Sequence, residues 1–521
     1  MDDQIDHQGW SPISRIDAIV DEVTKRGEGS VTAFLTDDGT ALSYADLVHR
    51  IREVGRSLTD AGLVDRQRVV LVGENSLDMI VGLLGTIYAG GVPVPLNARM
   101  SAAELDAVCE HAAPRLVYFA ADQTDDACRH AQRRSAHGTL ASLPGGRLQW
   151  CTAVEQHSDE EELYGVALML YTSGTMGHPK GVMLTHANLD FVTRLSLMQG
   201  VLRPGDSMFH ALPISHSYGL VSGLLCGLRA GATLRLVGRF SAERLGEAII
   251  DGSVSVFQGV PAMYARLHEW AHAERRQLVP NRLRMIYIGG SSVDAARKRQ
   301  TENMLGLRLH HGYGLTEAAP LVTRTIGHPP PQEVTAGWPV PGVEVCLRDA
   351  SGKQVPTGER GEVCVRGPNV MRGYFRDAPQ TASAIDPNGW LHTGDVGVFG
   401  PDGDLSIVGR SKEMIIRGGF NVFPAEVEKA IAEFPGVAQS AVVGRSVPGD
   451  EQVIAYVEPM AGRHIETVRL LDFLRVRLTA YKVPSELHVM ERLPASATGK
   501  LLKQVLKELA QAGDPQNSGS S

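Results

Sequence analysis

The sequence predicts an α/β protein with a large composite N-terminal domain and a small α+β C-terminal domain. Three observations predict it. Strand and helix patterns alternate through the first hundred residues. After about residue 335 short, alternating, turn-bounded runs take over, the mark of a β-rich subdomain. From about residue 413 amphipathic helices mix with strands for some ninety residues, enough for a separate domain.

The elements follow in order. RVVLV at Arg68 to Val72 is a short apolar strand. A helical stripe comes next at Ile80, Leu83, Leu84 and Ile87, spaced i, i+3, i+4, i+7. Gly90 and Gly91 break it and lead into the extended run VPVPL. Ser101 with Glu104 has capping-box spacing and opens another helix, which Pro114 stops before the strand LVYF at Leu116 to Phe119. VEVCL at Val343 to Leu347 and GEVCVRG at Gly361 to Gly367 are β-rich candidates. Pro424 suits the first position of a helix carrying Val427, Ile431 and Phe434. Strand-like SAVV and VIAYVE follow. Two more helices are expected, one with Leu471, Leu474 and Leu478, the last with Leu502, Val505, Leu506 and Leu509.

Composition narrows the function classes. The chain has 521 residues, a prior of three to four domain-sized units. Hydrophobic residues are 43% and charged residues 21%, so a sizeable core is expected and global disorder is excluded. A net charge of −8 argues against a general nucleic-acid or anionic-membrane binder. No apolar run reaches the length of a membrane helix, and the acidic start MDDQIDHQGW is no secretory signal. The six cysteines lack C-x-x-C spacing, so reduced cytoplasmic thiols are expected rather than a disulfide framework or a zinc site. The end, 513–521, reads as a disordered tail. The chain is rich in glycine, with 56, and much of it clusters in a few segments.

The densest is YTSGTMGHPKG, Tyr171 to Gly181, after the apolar run VALML. Glycines let backbone N–H groups converge, hydroxyls add donors, and a lysine adds charge, which makes a phosphate cradle. It lacks the Walker spacing, and a solvent turn is the bland alternative. HHGYGLTE, His310 to Glu317, lacks the third glycine of a dinucleotide fingerprint. Its Tyr313 could stack on a base and its Glu317 could hold magnesium, though the loop alone serves a structural reading as well, as do His310 and His311. In WLHTGDVG, Asp395 is a candidate for a ribose diol. Arg410, Lys412 and Arg417 lie at the texture change, where a charged linker is the alternative. LPASATGK ends in Lys500, and a lone Gly-Lys says little.

Together and in this order, the segments resemble the adenylate-forming superfamily of acyl-CoA synthetases, adenylation domains and luciferases, over nearly the whole chain. The resemblance implies residue roles. Thr172, Ser173, Gly174, Thr175 and Gly177 match the positions that wrap the β- and γ-phosphates of ATP, and Lys180 matches the loop lysine. Met176 departs from the second threonine common in the family. Gly312, Tyr313 and Gly314 fall in the adenine-stacking loop. Thr316 matches the hydroxyl near the α-phosphate, and Glu317 the magnesium carboxylate. Gly289, Gly290 and Ser291 match the strand end bordering adenine and the acyl pocket. Asp395 and Arg410 match ribose contacts. Lys500 matches the catalytic lysine of adenylation. The domain division implied is 1–409 (β-rich from about 335), a hinge at 410–412 with Lys412, and a mobile domain at 413–512. Gly418 and Gly419 resemble the thiol-tunnel loop.

The implied reaction joins a carboxylate to AMP, releases pyrophosphate, and passes the acyl group to coenzyme A. ATP, Mg2+ and coenzyme A are the implied cofactors. His216 falls at the pocket-gating position. Ser217 stands where amino-acid-activating members carry an Asp, which disfavours an α-amino acid. The presumptive acyl walls are Gly259, Val260, Tyr264, Gly290, Leu315 and Leu321 with His216 and Ser217, suited to a fatty or aryl acid. An acyl carrier protein is the alternative acceptor, weakly disfavoured by the compact stretch from Gly373 to Trp390. An oxygenase has little support, and an inert sensor is opposed by intact Thr175, Glu317, Asp395 and Lys500. Either a monomer or a homodimer fits.

Overall fold

The computed structural model describes residues 13–151, 159–173, 179–291, 295–329, 334–417, 420–447, 450–495 and 501–512. Its centre is a nine-stranded sheet. From one edge the strands run Trp338–Pro339, Leu321–Arg324, Leu309–Gly314, Met285–Ile288, Val256–Gly259, Ser207–His210, Thr233–Leu236, Thr32–Thr36 and Ala41–Ser43. The six from Leu309–Gly314 to Thr32–Thr36 are parallel. The inner strands are buried at most positions because helices cover both faces. Their C-terminal ends open on one side, where ligands bind in such sheets.

A second sheet holds Val92–Asn97, Arg68–Gly73 and Leu116–Phe119 in parallel, with Leu143–Trp150 and Gly138–Leu140 antiparallel beside them. The predicted stripe lies on helix Leu77–Tyr88, and Ile80, Leu83, Leu84 and Ile87 are all buried. Truncating such a leucine costs about 2–5 kcal/mol. Ser101 caps helix Ala102–Ala112 reciprocally with Glu104, as the spacing predicts. A left-handed Ala113 ends that helix one residue before Pro114.

The β-rich segment is a four-stranded antiparallel sheet of Glu344–Arg348, Arg360–Arg366, Leu391–Phe399 and Leu405–Arg410. Its pairing shifts between Glu362 and Cys364, so residues 393–395 of the partner strand bulge outward. That bulge aims Asp395 at the ends of the parallel strands. All six cysteines are free thiols.

The C-terminal portion packs helices Pro424–Ala432 and Thr467–Arg475 on the sheet Val437–Val447, Asp450–Pro459 and Glu486–Val489. Two expectations are corrected here. Helix Thr467–Arg475 docks through Leu470 and Leu474; Leu471 is only partly buried and Leu478 lies beyond the helix. Helix Lys503–Ala512 docks through Leu506 and Ala510, leaving Leu502, Val505 and Leu509 exposed. Two apolar stripes compete on that helix, and the one with smaller Ala510 fits closer to the sheet.

Candidate active site

The strand end after Met285–Ile288 carries Gly289, Gly290 and Ser291. Gly290 has φ +78°, a conformation that suits glycine. A side chain on Gly289 would press on the ring of Tyr218. Ser291 turns its hydroxyl back to the Gly290 carbonyl at 2.9 Å. On the neighbouring strand, Gly312 lies against the Tyr287 hydroxyl, and a Cβ on Gly314 would run into the Pro320 carbonyl oxygen. Glycine is required at Gly314 for that close approach, which bends the chain into the following turn.

Tyr313, between them, donates its hydroxyl to Asp395 at 2.6 Å. The other Asp395 oxygen accepts from Arg410 Nε at 2.9 Å. Strand pairing sets the two opposite each other. The Asp395 side chain is 5% exposed, so this carboxylate is desolvated but paired. Burial, then the Asp395 charge, pushes the Tyr313 phenol well above its usual range. For Arg410 burial works against the charge, but Asp395 and Glu413 outweigh it and hold its pKa up. Tyrosine, carboxylate and guanidinium thus form one hydrogen-bonded row.

Thr316 and Glu317 sit on a single 3-10 turn, Thr316–Ala318. The Thr316 hydroxyl is buried and hydrogen-bonds that of Ser217 at 3.1 Å. Glu317 Oε1 accepts from the Tyr374 hydroxyl at 2.9 Å, and its carbonyl accepts the Met371 N–H at 2.8 Å. Lys180 Nζ lies 4.8 Å over the Tyr374 ring. Lys180 faces Thr172 across the hairpin of Val166–Ser173 and Pro179–Thr185. Tyr374 therefore joins Lys180 to the Glu317 carboxylate. The sequence reading missed it; its signal, an aromatic after Gly373 outside any periodic run, is faint. Ser173 closes its strand, while Gly174, Thr175, Gly177, Gly418, Gly419 and Lys500 lie outside the described residues. Lys412 is exposed on the turn Ser411–Glu413 that follows Arg410.

On the acyl side, His216 accepts the Tyr218 N–H at Nδ1, 3.2 Å away. It precedes a π-helical segment, Tyr218–Leu225, a geometry frequent at functional sites. Gly259 ends its strand, Val260 caps the next helix, and Leu315 and Leu321 are half-buried. Tyr264 sits deeper than a pocket wall would. It is 1% exposed and bonds the carbonyls of Tyr287 and Phe257, beneath Gly259. Two residues unremarked in the sequence share the opposite sheet face. His210 and Gln258 end adjacent parallel strands, and Gln258 pairs in register with Tyr287. Both are buried; both His210 ring nitrogens and Gln258 Oε1 lack hydrogen-bond partners. His310 is half-buried, its pKa pushed down to about 4 by desolvation, and His311 bonds the Thr335 carbonyl, in keeping with structural roles.

A sequence model of the family described as AMP-binding enzyme matches residues 21–375. The chain belongs to the AMP-binding enzymes. The model for that family's C-terminal domain matches residues 426–500. Among curated relatives, feruloyl-CoA synthase of Amycolatopsis sp is 36% identical over 475 residues, spanning 89% of this chain and 93% of that protein. ATP-bound MatB from Rhodopseudomonas palustris superposes with a TM-score of 0.80 at 29% identity, covering 95% of this chain and 98% of MatB. The o-succinylbenzoate CoA synthetase of Bacillus subtilis, solved with its acyl-adenylate intermediate, gives 0.76 at 25% identity, covering 95% and 98%. This AMP-binding enzyme is accordingly an AMP-forming acid–thiol ligase with a large N-terminal and a small C-terminal domain. It activates a carboxylic acid as acyl-AMP, and ATP and coenzyme A serve the reaction. Among the described residues no helix is long and apolar enough to cross a membrane.

Proposed function

We propose that the ligase acts in the cytoplasm on an aryl acid bearing a polar ring substituent, of the hydroxycinnamate kind, and loads it onto coenzyme A. The observation that carries this is the pair His210 and Gln258. Buried polar atoms without partners cost about 1–3 kcal/mol each. A phenolic hydroxyl arriving between the π-helical segment and the strand ends would recover that cost, whereas a plain fatty chain would not. The apolar surroundings of Tyr218, Val260 and Leu321 suit the ring, and the feruloyl-CoA synthase relative supports the substrate class.

The residue roles follow from charge and position. Tyr313 offers a face to adenine, and Asp395 with Arg410 receives the ribose. Lys180 and the loop of Thr172 to Gly177 hold the outer phosphates. A carboxylate oxygen attacks the α-phosphorus and pyrophosphate leaves; Lys500 and Thr316 steady the growing charge on the phosphoryl oxygens. Glu317, braced by Tyr374, is the hard oxygen donor that would hold Mg2+, which supplies positive charge against the phosphates when bound. The coenzyme A thiol then attacks the acyl carbon and AMP leaves. Rotation of residues 413–512 about 410–412, with Lys412 as pivot, would exchange Lys500 for Gly418 and Gly419 at the thiol entrance.

The test is pyrophosphate release with ferulate, cinnamate, benzoate and fatty acids, with and without coenzyme A. Hydroxylated cinnamates should exceed cinnamate by about tenfold or more in kcat/KM, and Gln258→Leu should erase the preference. Equal rates for both acids, or an unchanged preference in the variant, would remove the assignment.

A further inference from the structure

Three side chains of metal-ligand type meet on one face of the four-stranded sheet, outside the residues assigned to catalysis. Cys364 lies in the middle of strand Arg360–Arg366. Pairing sets Cys346 directly opposite it on one side and His392 on the other. Glu362, two residues earlier, projects to the same face. The ligand atoms of Glu362, Cys364 and His392 all lie within 4.8 Å of one another. His392 Nδ1 is 3.0 Å from Glu362 Oε2 and 3.6 Å from Cys364 Sγ. Cys346 is not one of that group and stands across the strand pair from Cys364.

The spacing discriminates. With zinc–ligand bonds of about 2.0–2.3 Å, ligand atoms of a tetrahedral site stand about 3.3–3.8 Å apart. The measured separations need only small adjustments to reach that. The donor set is sulfur, nitrogen and one carboxylate, which suits zinc and not magnesium. An ordinary His–Glu hydrogen bond explains two of these residues; it does not explain a buried thiol placed against the same imidazole. The surroundings also fit. Glu362 Oε1 is already oriented by the Gly394 N–H at 3.1 Å, leaving Oε2 toward the cluster. The Glu362 and His392 side chains are 32% and 28% exposed, so an ion has a way in, whereas Cys364 is buried.

We propose that Cys364, His392 and Glu362 form a site for a zinc-type divalent ion, with solvent in the fourth position. Binding releases the Cys364 thiol proton to solvent and involves no change of oxidation state. The ion would pin residues 392–394 beneath Asp395 and stiffen the ribose end of the active site. The proposal is independent of which acid the ligase activates.

The experiment uses the full-length protein without a histidine tag, with zinc(II) and cobalt(II) ions as probes. Wild type, reduced and dialysed after loading, should retain one ion per chain by elemental analysis. The cobalt form should show a thiolate charge-transfer band and a tetrahedral visible spectrum. Cys364→Ser and His392→Gln should each weaken retention by about 100-fold or more, since even outer partners of a metal site are worth 10–100-fold. Cys128→Ser, a thiol outside the cluster, should match wild type. Absence of a bound ion in wild type overturns the proposal, as does full retention in both cluster variants. A Cys346–Cys364 disulfide in protein purified without reductant, with no metal uptake after reduction, also overturns it.

Discussion

Asp395→Asn isolates the ribose contact. In the structure each carboxylate oxygen has its own donor, Tyr313 on one and Arg410 on the other. Asparagine keeps one acceptor and turns the other into an NH2, so one of those donors faces a donor. The larger effect falls on the nucleotide. Hydrogen bonds to a charged group contribute about 1.5–3 kcal/mol and neutral ones about 0.5–1.5, so two ribose hydroxyls lose together about 2–3 kcal/mol. At about 1.4 kcal/mol per tenfold, that raises the KM for ATP roughly 30- to 150-fold. The assay is acid-dependent ATP–pyrophosphate exchange, repeated with 2′-deoxy-ATP and 3′-deoxy-ATP. Wild type should penalise loss of either hydroxyl, and the variant should penalise it far less. A variant with the wild-type KM, or with the wild-type deoxy penalties, would show that Asp395 does not read the ribose.

Other outcomes follow from the same structure and sequence. Lys500→Ala should abolish ATP–pyrophosphate exchange while thiolysis of supplied acyl-AMP survives; normal exchange would exclude Lys500 from adenylation. Burial takes His210 from an ordinary value of 6.5 down to about 4. Because the folded value is the lower one, its contribution is intact above pH 6.5 and is lost as pH falls from 6.5 to 4, about 3 kcal/mol in all. His210→Leu should flatten that limb of a denaturation-against-pH curve, and an unchanged limb would place the acid sensitivity elsewhere. Ser101→Ala should cost about 1 kcal/mol of stability, read from the denaturation midpoint, with no change in KM for either substrate.

What could be read from the sequence was what local chemistry fixes. The Ser101 cap and the stripe on Leu77–Tyr88 depend on residues three or four apart, and both formed as the spacing predicts. The Gly-rich run after Val166–Ser173 and the Thr-Gly-Asp turn stood out as motifs that carry the family resemblance. Tertiary choice was not. Leu502, Val505 and Leu509 have helical spacing as good as that of Leu506 and Ala510, yet only the second pair meets the sheet. Cysteine spacing did not reveal that Cys346 and Cys364 stand opposite each other, because antiparallel pairing rather than a short motif makes them neighbours. Tyr374, His210 and Gln258 were silent for the same reason: each acquires its meaning from a strand that is distant in the chain.

The order of the nine-stranded sheet also bears on how the chain is made. Thr32–Thr36 pairs on its parallel side with Thr233–Leu236, Phe34 opposite Leu234. Translation at about 5–20 residues per second leaves that early strand waiting about 10–40 s for its neighbour to emerge. During that interval the N-terminal hairpin presents an open parallel edge and apolar side chains such as Phe34 to solvent. Yield in expression should therefore respond to chaperone supply and growth temperature more than to the stability of the finished fold.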